Sequence, residues 1–293
     1  MKHSIKITAF LLLVFLASQL VGLLIINNYV DKEQTKRSFE ETGQYKVVYK
    51  PLPYNVERPE VDESTSFIPI IIAILVGTSL FLLLMRFKKV SVWKAWYFLS
   101  VFLCMTIALA AFLPQAIALV ISAVSSFFKT AKPNVVVHNL TEIFIYGGLA
   151  AIFVPIINMF SAIALLIIIS VYDMIAVWKS KHMVKMAKFQ SKTKIFAGLF
   201  IPYKKAPKPK KGAKTIRVPV KNAVLGGGDI AFPLIFAGVV MKQFSFAQTL
   251  IIPVFVTLAL LILFIKAEKD KFYPAMPFVT AGCILGYFAI LLI

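Results

Sequence analysis

The sequence predicts an all-α polytopic membrane protein with nine transmembrane helices, and three observations carry that prediction. Hydrophobic residues make up 59% of the 293-residue chain and charged residues only 15%; the mean hydropathy is +0.84, too apolar for an ordinary soluble domain. The apolar residues fall in long unbroken runs rather than in alternation. A lipid-embedded segment must satisfy its own backbone hydrogen bonds, so such runs indicate helices and not a barrel. Finally, the formal charge of +19 is concentrated between the apolar runs with no interleaved aromatics, which argues against nucleic acid as a partner and reads as a topology signal.

A membrane span needs about 20 apolar residues, and nine such runs follow one another. The first, 7–28, begins after Lys2 and Lys6. It has the outline of a signal peptide, but its length and the poor cleavage site at 16–19 favour a retained span. Residues 29–66, with Pro51, Pro53 and Pro59 among mixed charges, form an external loop. Span two, 67–85, ends at Arg86, Lys88 and Lys89. The stretch 95–128 would be roughly 50 Å long as a single helix, so it divides near Pro114 into spans three and four. At the head of span five, NLTE (139–142) has capping-box spacing, which makes Glu142 a helix cap at the interface. Span five ends near Pro155, and span six covers 159–178. Spans seven to nine cover 222–241, 244–265 and 272–293.

Between spans six and seven, from Lys179 to Lys221, lie thirteen lysines and Arg217 with no acid, whereas eight of the thirteen acids lie between Asp31 and Glu63. Basic loops stay cytoplasmic, so the N-terminus is expected inside and the C-terminus outside, with only Lys242 on the wrong side. The chain thus divides into a six-span part (1–178), a basic cytoplasmic linker (179–221) and a three-span part (222–293). The linker's KKAPKPKKGAK tract cannot bury a core. Cys104 and Cys283 lie far apart in apolar runs and read as small buried hydrophobes. His3, His138 and His182 are isolated in sequence and receive no ligand role, so neither a metal nor a cofactor is expected.

Two acids, Asp173 and Asp229, fall inside predicted spans. An intramembrane carboxylate costs at least about 2.5–3.5 kcal/mol and marks a functional site by default. Counted along helices from Lys179 and Lys221, the two lie about 9 and 12 Å from the cytoplasmic ends, and so at one level. Two such carboxylates share a proton, which suits one to withdraw a proton from water and the other to donate one to a carbonyl. Spacing alone leaves a protease and a proton-coupled transporter or cation channel equally open. Gly226, Gly227 and Gly228 directly before Asp229 weaken a helix by about 1 kcal/mol each, which suggests close backbone approach or local unwinding there.

The motifs VYDMIAVW, with Tyr172 and Asp173, and GGGD, with Gly226–Asp229, resemble the Tyr-Asp and Gly-x-Gly-Asp motifs of the presenilin and signal peptide peptidase family of intramembrane aspartyl proteases. The short chain resembles the archaeal presenilin-like members. YPAMPF, with Pro274, Ala275 and Met276, stands where that family has Pro-Ala-Leu, at the start of the ninth span; Met for Leu conserves volume. The resemblance covers most of the chain. It implies nine helices, catalytic Asp173 and Asp229, support from Tyr172, the three glycines and Pro274–Met276, and single-span transmembrane substrates in the lipid bilayer. It further implies that Thr215, Ile216, Arg217 and Val218, in the β-branched segment before span seven, pair as a strand with unwound substrate. The prepilin peptidases also use Gly-x-Gly-Asp, but the context of Asp173 does not fit them. The oligomeric state is not legible.

Overall fold

The computed structural model describes residues 4–44, 46–132, 134–193, 195–202, 222–268 and 271–293, and it is mostly helical. Among these residues six segments are long and apolar enough to cross a membrane. They are α1 (Ile5–Tyr29), α3 (Phe67–Arg86), α4 (Val90–Ala110), and α6 (Val135–Phe153) extended to Ile156. The other two are α7 (Met159–Met174), extended by a π-helical turn to Lys179, and α10 (Phe246–Thr249) joined to α11 (Ile251–Lys266). Three apolar helices are shorter: α5 (Gln115–Ala131), α9 (Gly228–Val240) and α12 (Met276–Leu291). The polar helices α2 (Lys32–Thr42) and α8 (His182–Thr193) lie in the connections.

The long apolar stretch divides where expected. α4 ends at Ala110, Pro114 is the N-cap of α5, and α5 then runs back along α4. α9 is the central element, packed against α1, α6, α7, α11 and α12, and from Ile230 to Val240 only Phe232 is not buried. A helix buried on every side has no polar face to present, which is why this segment reads as wholly apolar. Gln19 on α1 spends its amide on α9, with Nε2 donating to the Ile230 carbonyl at 2.9 Å. α1 and α6 come close at a pair of glycines: a Cβ on Gly147 would sit 3.0 Å from the Gly22 Cα, the small-residue packing that helices use in lipid.

The segment before Asp229 departs from the expected helix. Residues Asn222–Gly226 form strand β2, paired antiparallel with β1 (Gly198–Pro202), and span seven begins only at Gly228. A strand rises about 3.3 Å per residue, so a helical depth count from Lys221 does not hold; Asp229 instead sits in the first turn of α9. The basic connection after span six is also more ordered than its composition suggests, since it contains α8 and β1. The KKAPKPKKGAK tract and Thr215, Ile216, Arg217 and Val218 lie outside the described residues.

Glu142 is not a cap. α6 begins at Val135 with Asn134 as its N-cap, the Asn134 side chain accepting from the Val136 N–H at 2.8 Å. Glu142 therefore lies two turns inside, 1% exposed, and Lys129 donates to it at 2.6 Å. It is a third carboxylate within the apolar bundle beside the two that the span assignment singles out.

Candidate active site

The bundle brings three helix ends together. Asp173 lies one residue from the C-terminus of α7, Asp229 in the first turn of α9, and Met276 opens α12; these three helices pack on one another. Asp173 is buried and Asp229 half-buried, and they are near enough for their charges to interact. β2 and not a helix leads the chain to Asp229.

Each carboxylate meets backbone amides at a helix start. The first four N–H groups of a helix have no intrahelical acceptor, and the helix dipole adds partial positive charge there. The Met276 N–H donates to Asp173 Oδ2 at 3.1 Å, with the Ala275 amide beside it. This accounts physically for Pro274, Ala275, Met276 and Pro277: the prolines set the helix start, and the open amides between them face the acid. Asp229 lies in the corresponding first turn of α9, and the Gly226 amide faces its carboxylate. One turn above Asp173, Ser170 and Thr280 share a hydrogen bond of 2.7 Å, and Thr280 donates to the Leu166 carbonyl at 3.2 Å, so α7 and α12 are locked beside the site.

The three glycines have separate reasons. A Cβ on Gly226 would lie 3.1 Å from Asp229 Oδ2, and one on Gly227 would lie 2.8 Å from the Tyr146 hydroxyl. On Gly228, which is exposed, a Cβ would meet only the Phe232 ring at 3.4 Å, an ordinary contact. Close backbone approach is thus observed at Gly227, whose N–H also donates to the Ala197 carbonyl at 3.1 Å. Tyr172 points elsewhere. Its hydroxyl is 3.0 Å from His182 Nε2 on α8 and donates to Thr78 on α3 at 3.3 Å, so Tyr172 ties the end of α7 to its flanks and its hydroxyl is spent outside the acid pair.

Sequence reasoning missed a polar cluster behind the glycines. Lys129 on α5 donates to Glu142 and, at 2.8 Å, to Thr141. Glu142 also accepts from the Tyr146 hydroxyl, and the Tyr97 hydroxyl lies 3.4 Å from it. The available signal was chemical: an acid two turns into an apolar helix requires a cation, and Lys129 stands at the facing end of the preceding helix. Among the described residues no three His, Cys, Asp or Glu side chains gather as metal ligands would.

Two aspartates brought together at helix ends inside an apolar bundle are placed to serve acid–base chemistry within the membrane. A family model described as "Signal-peptide peptidase, presenilin aspartyl protease" matches residues 53–293, and the chain belongs to that family of hydrolases. Two solved structures, both of a presenilin family intramembrane aspartate protease, share the fold. One, in a C222 crystal form, aligns with a TM-score of 0.64 at 17% identity over 97% of this chain and 98% of that one. The other, in a P2 form, gives 0.61 at 18% identity over 96% of each. No curated protein matches the sequence.

Proposed function

We propose that the protein hydrolyses peptide bonds within the transmembrane helices of membrane-protein substrates, with Asp173 and Asp229 as its acid–base pair and water as the nucleophile. The observation that carries the reading is the meeting of the two carboxylates at the starts of α9 and α12, with the Met276 amide on Asp173. One acid, as carboxylate, withdraws a proton from water; the other donates a proton to the scissile carbonyl. The glycines, Pro274–Met276 and Tyr172 support the site, and no covalent intermediate is required.

The six long and three short apolar helices act as nine spans. Their ends support the alternation: the acids share one end of the bundle, while at the other Lys242 Nζ donates to Glu63 at 3.4 Å and to the carbonyls of Pro155 and Ile157 at 3.1 and 2.9 Å. The basic segments support an acid end that faces the cytoplasm. A single-span substrate helix enters sideways among α7, α9 and α12 and unwinds there, because a helical peptide shields its carbonyls. The β-branched segment 215–220 contributes to recognition of the unwound substrate, and Ile216→Pro or Val218→Pro lowers cleavage without unfolding the bundle. The N-inside orientation favours substrates with external N-termini, and accessible tags on both termini test it.

Cleavage of a single-span reporter by purified protein in liposomes tests the reaction. Asp173→Asn and Asp229→Asn should each lower the rate by at least about 10²-fold, with folding retained. Wild-type protein that cleaves none of several reporters but carries Asp-dependent ion flux would reject the protease in favour of a transporter.

A further inference from the structure

In an antiparallel pair, alternate residues turn their N–H and C=O toward the partner strand and the others turn them away. β1 meets β2 in the register Leu199↔Leu225 and Ile201↔Ala223. Between those residues Phe200 faces away from β2, and both of its backbone groups are taken by one side chain. Its N–H donates to Asn139 Oδ1 at 3.0 Å and its carbonyl accepts from Asn139 Nδ2 at 2.8 Å. The Gly198 carbonyl is 2.8 Å from His138 Nε2, and the Phe196 carbonyl accepts from the Tyr97 hydroxyl at 2.9 Å. Side chains from α4 and α6 therefore hold four backbone groups on the side of this chain segment that β2 does not use.

The holders are themselves fixed. The Tyr97 hydroxyl also lies 3.4 Å from Glu142, His138 lies 3.8 Å from the same carboxylate, and the Lys129 ammonium at 2.6 Å neutralises it. An apolar cluster of the same volume would hold helices together as well as a buried ion pair does; what the polar cluster adds is direction. From it the connection to the site is short. The Ala197 carbonyl accepts from the Gly227 N–H, β2 ends at Gly226, and Gly226 faces the Asp229 carboxylate.

We propose that Asn139, His138 and Tyr97 form a clamp on the outer edge of β1 that positions, through the β1–β2 ladder, the glycine turn carrying Asp229. They are positioning residues, since their hydrogen bonds end on β1 and on Phe196 just before it, and not on the aspartates. The consequence for catalysis rests on the two-aspartate reading above; the consequence for the strands does not.

Amide hydrogen exchange and reporter cleavage, measured together on the full chain in detergent, separate the two. Asn139→Leu removes both hydrogen bonds to Phe200 at nearly constant volume, and Tyr97→Phe removes one hydroxyl while keeping the ring. Both variants should speed exchange in 198–202 and 222–228 by roughly tenfold or more, leaving α1 and α11 at wild-type rates. They should also lower kcat about tenfold with KM within about twofold. Unchanged strand exchange in both variants overturns the clamp, as does equal acceleration throughout the bundle, which marks a merely structural role. Faster strand exchange with wild-type kcat overturns the link to Asp229. If wild-type protein cleaves no reporter, the protease reading fails, and exchange at 226–228 alone decides whether the clamp holds the turn.

Discussion

Asp173 on α7 accepts a hydrogen bond from the backbone N–H of Met276, the first residue of α12, at 3.1 Å. The contact belongs to the backbone of Met276 and not to its side chain, and a substitution can separate the two. Met276→Leu keeps the N–H and restores the residue found in the family motif, so activity should stay within about twofold. Met276→Pro removes the donor at a position where a helix start tolerates proline. A hydrogen bond to a charged group contributes about 1.5–3 kcal/mol, so cleavage should fall by roughly tenfold to 100-fold, and melting should fall as well because the buried Met276 side chain is lost with the amide. Equal activities of the two variants would show that this amide does not serve the site.

The glycines before Asp229 should differ in what each substitution costs. Gly227→Ala drives a methyl against the Tyr146 hydroxyl at 2.8 Å, and Tyr146 is held by Glu142. Overpacking of this kind costs about 1–3 kcal/mol, read as a lower melting temperature together with weaker cleavage. Gly228→Ala meets only an ordinary contact with Phe232 and should melt as wild type. A loss of cleavage in that variant would then report how closely a substrate backbone passes this exposed position.

What was legible follows from how local each signal was. The division of 95–128 at Pro114 could be read from length alone, because one helix would overshoot the bilayer. The order of VYD, GGGD and PAM along the chain could be read because each motif is contiguous. Strand β2 could not: 222–226 is a short apolar run, equally suited to helix or strand, and its partner β1 lies across a long basic segment. Glu142 misleads for the opposite reason. Asn139 and Glu142 match a capping pattern locally, but Lys129 and Asn134 lie outside that window, and only the α5–α6 hairpin shows that the carboxylate has an ionic partner and the helix an earlier cap.

The Lys129–Glu142 pair should be strongly asymmetric under mutation. Both side chains are buried, at 2% and 1% exposure, so Glu142→Gln leaves an ammonium without its counter-ion. Breaking a buried pair on one side costs about 3–5 kcal/mol, and the single variant should show a markedly lower melting temperature and poor yield. Adding Lys129→Met removes the stranded charge and should recover most of that loss. A double variant no more stable than Glu142→Gln would mean that the polar contacts to Tyr97, Tyr146 and Thr141, and not charge balance, govern this region.

Outside the membrane-spanning segments, His182 links pH to the end of α7. Burial and the nearby Lys185 ammonium lower its pKa below the ordinary histidine value of 6.5, so the folded state favours the neutral ring. The ring lies with Nε2 3.0 Å from the Tyr172 hydroxyl, so it joins the end of α7 to the start of α8. The sign follows from the direction of the shift: between the lowered value and 6.5 the unfolded chain binds more protons. The stabilisation is therefore complete above about pH 6.5 and is lost as pH falls through the folded value. His182→Gln keeps a hydrogen-bonding side chain without a titration, so its melting temperature should vary less between pH 7 and pH 5 than that of wild type. Hydrogen exchange in 175–193 should show the same contrast, and parallel pH profiles for the two proteins would remove His182 as the source.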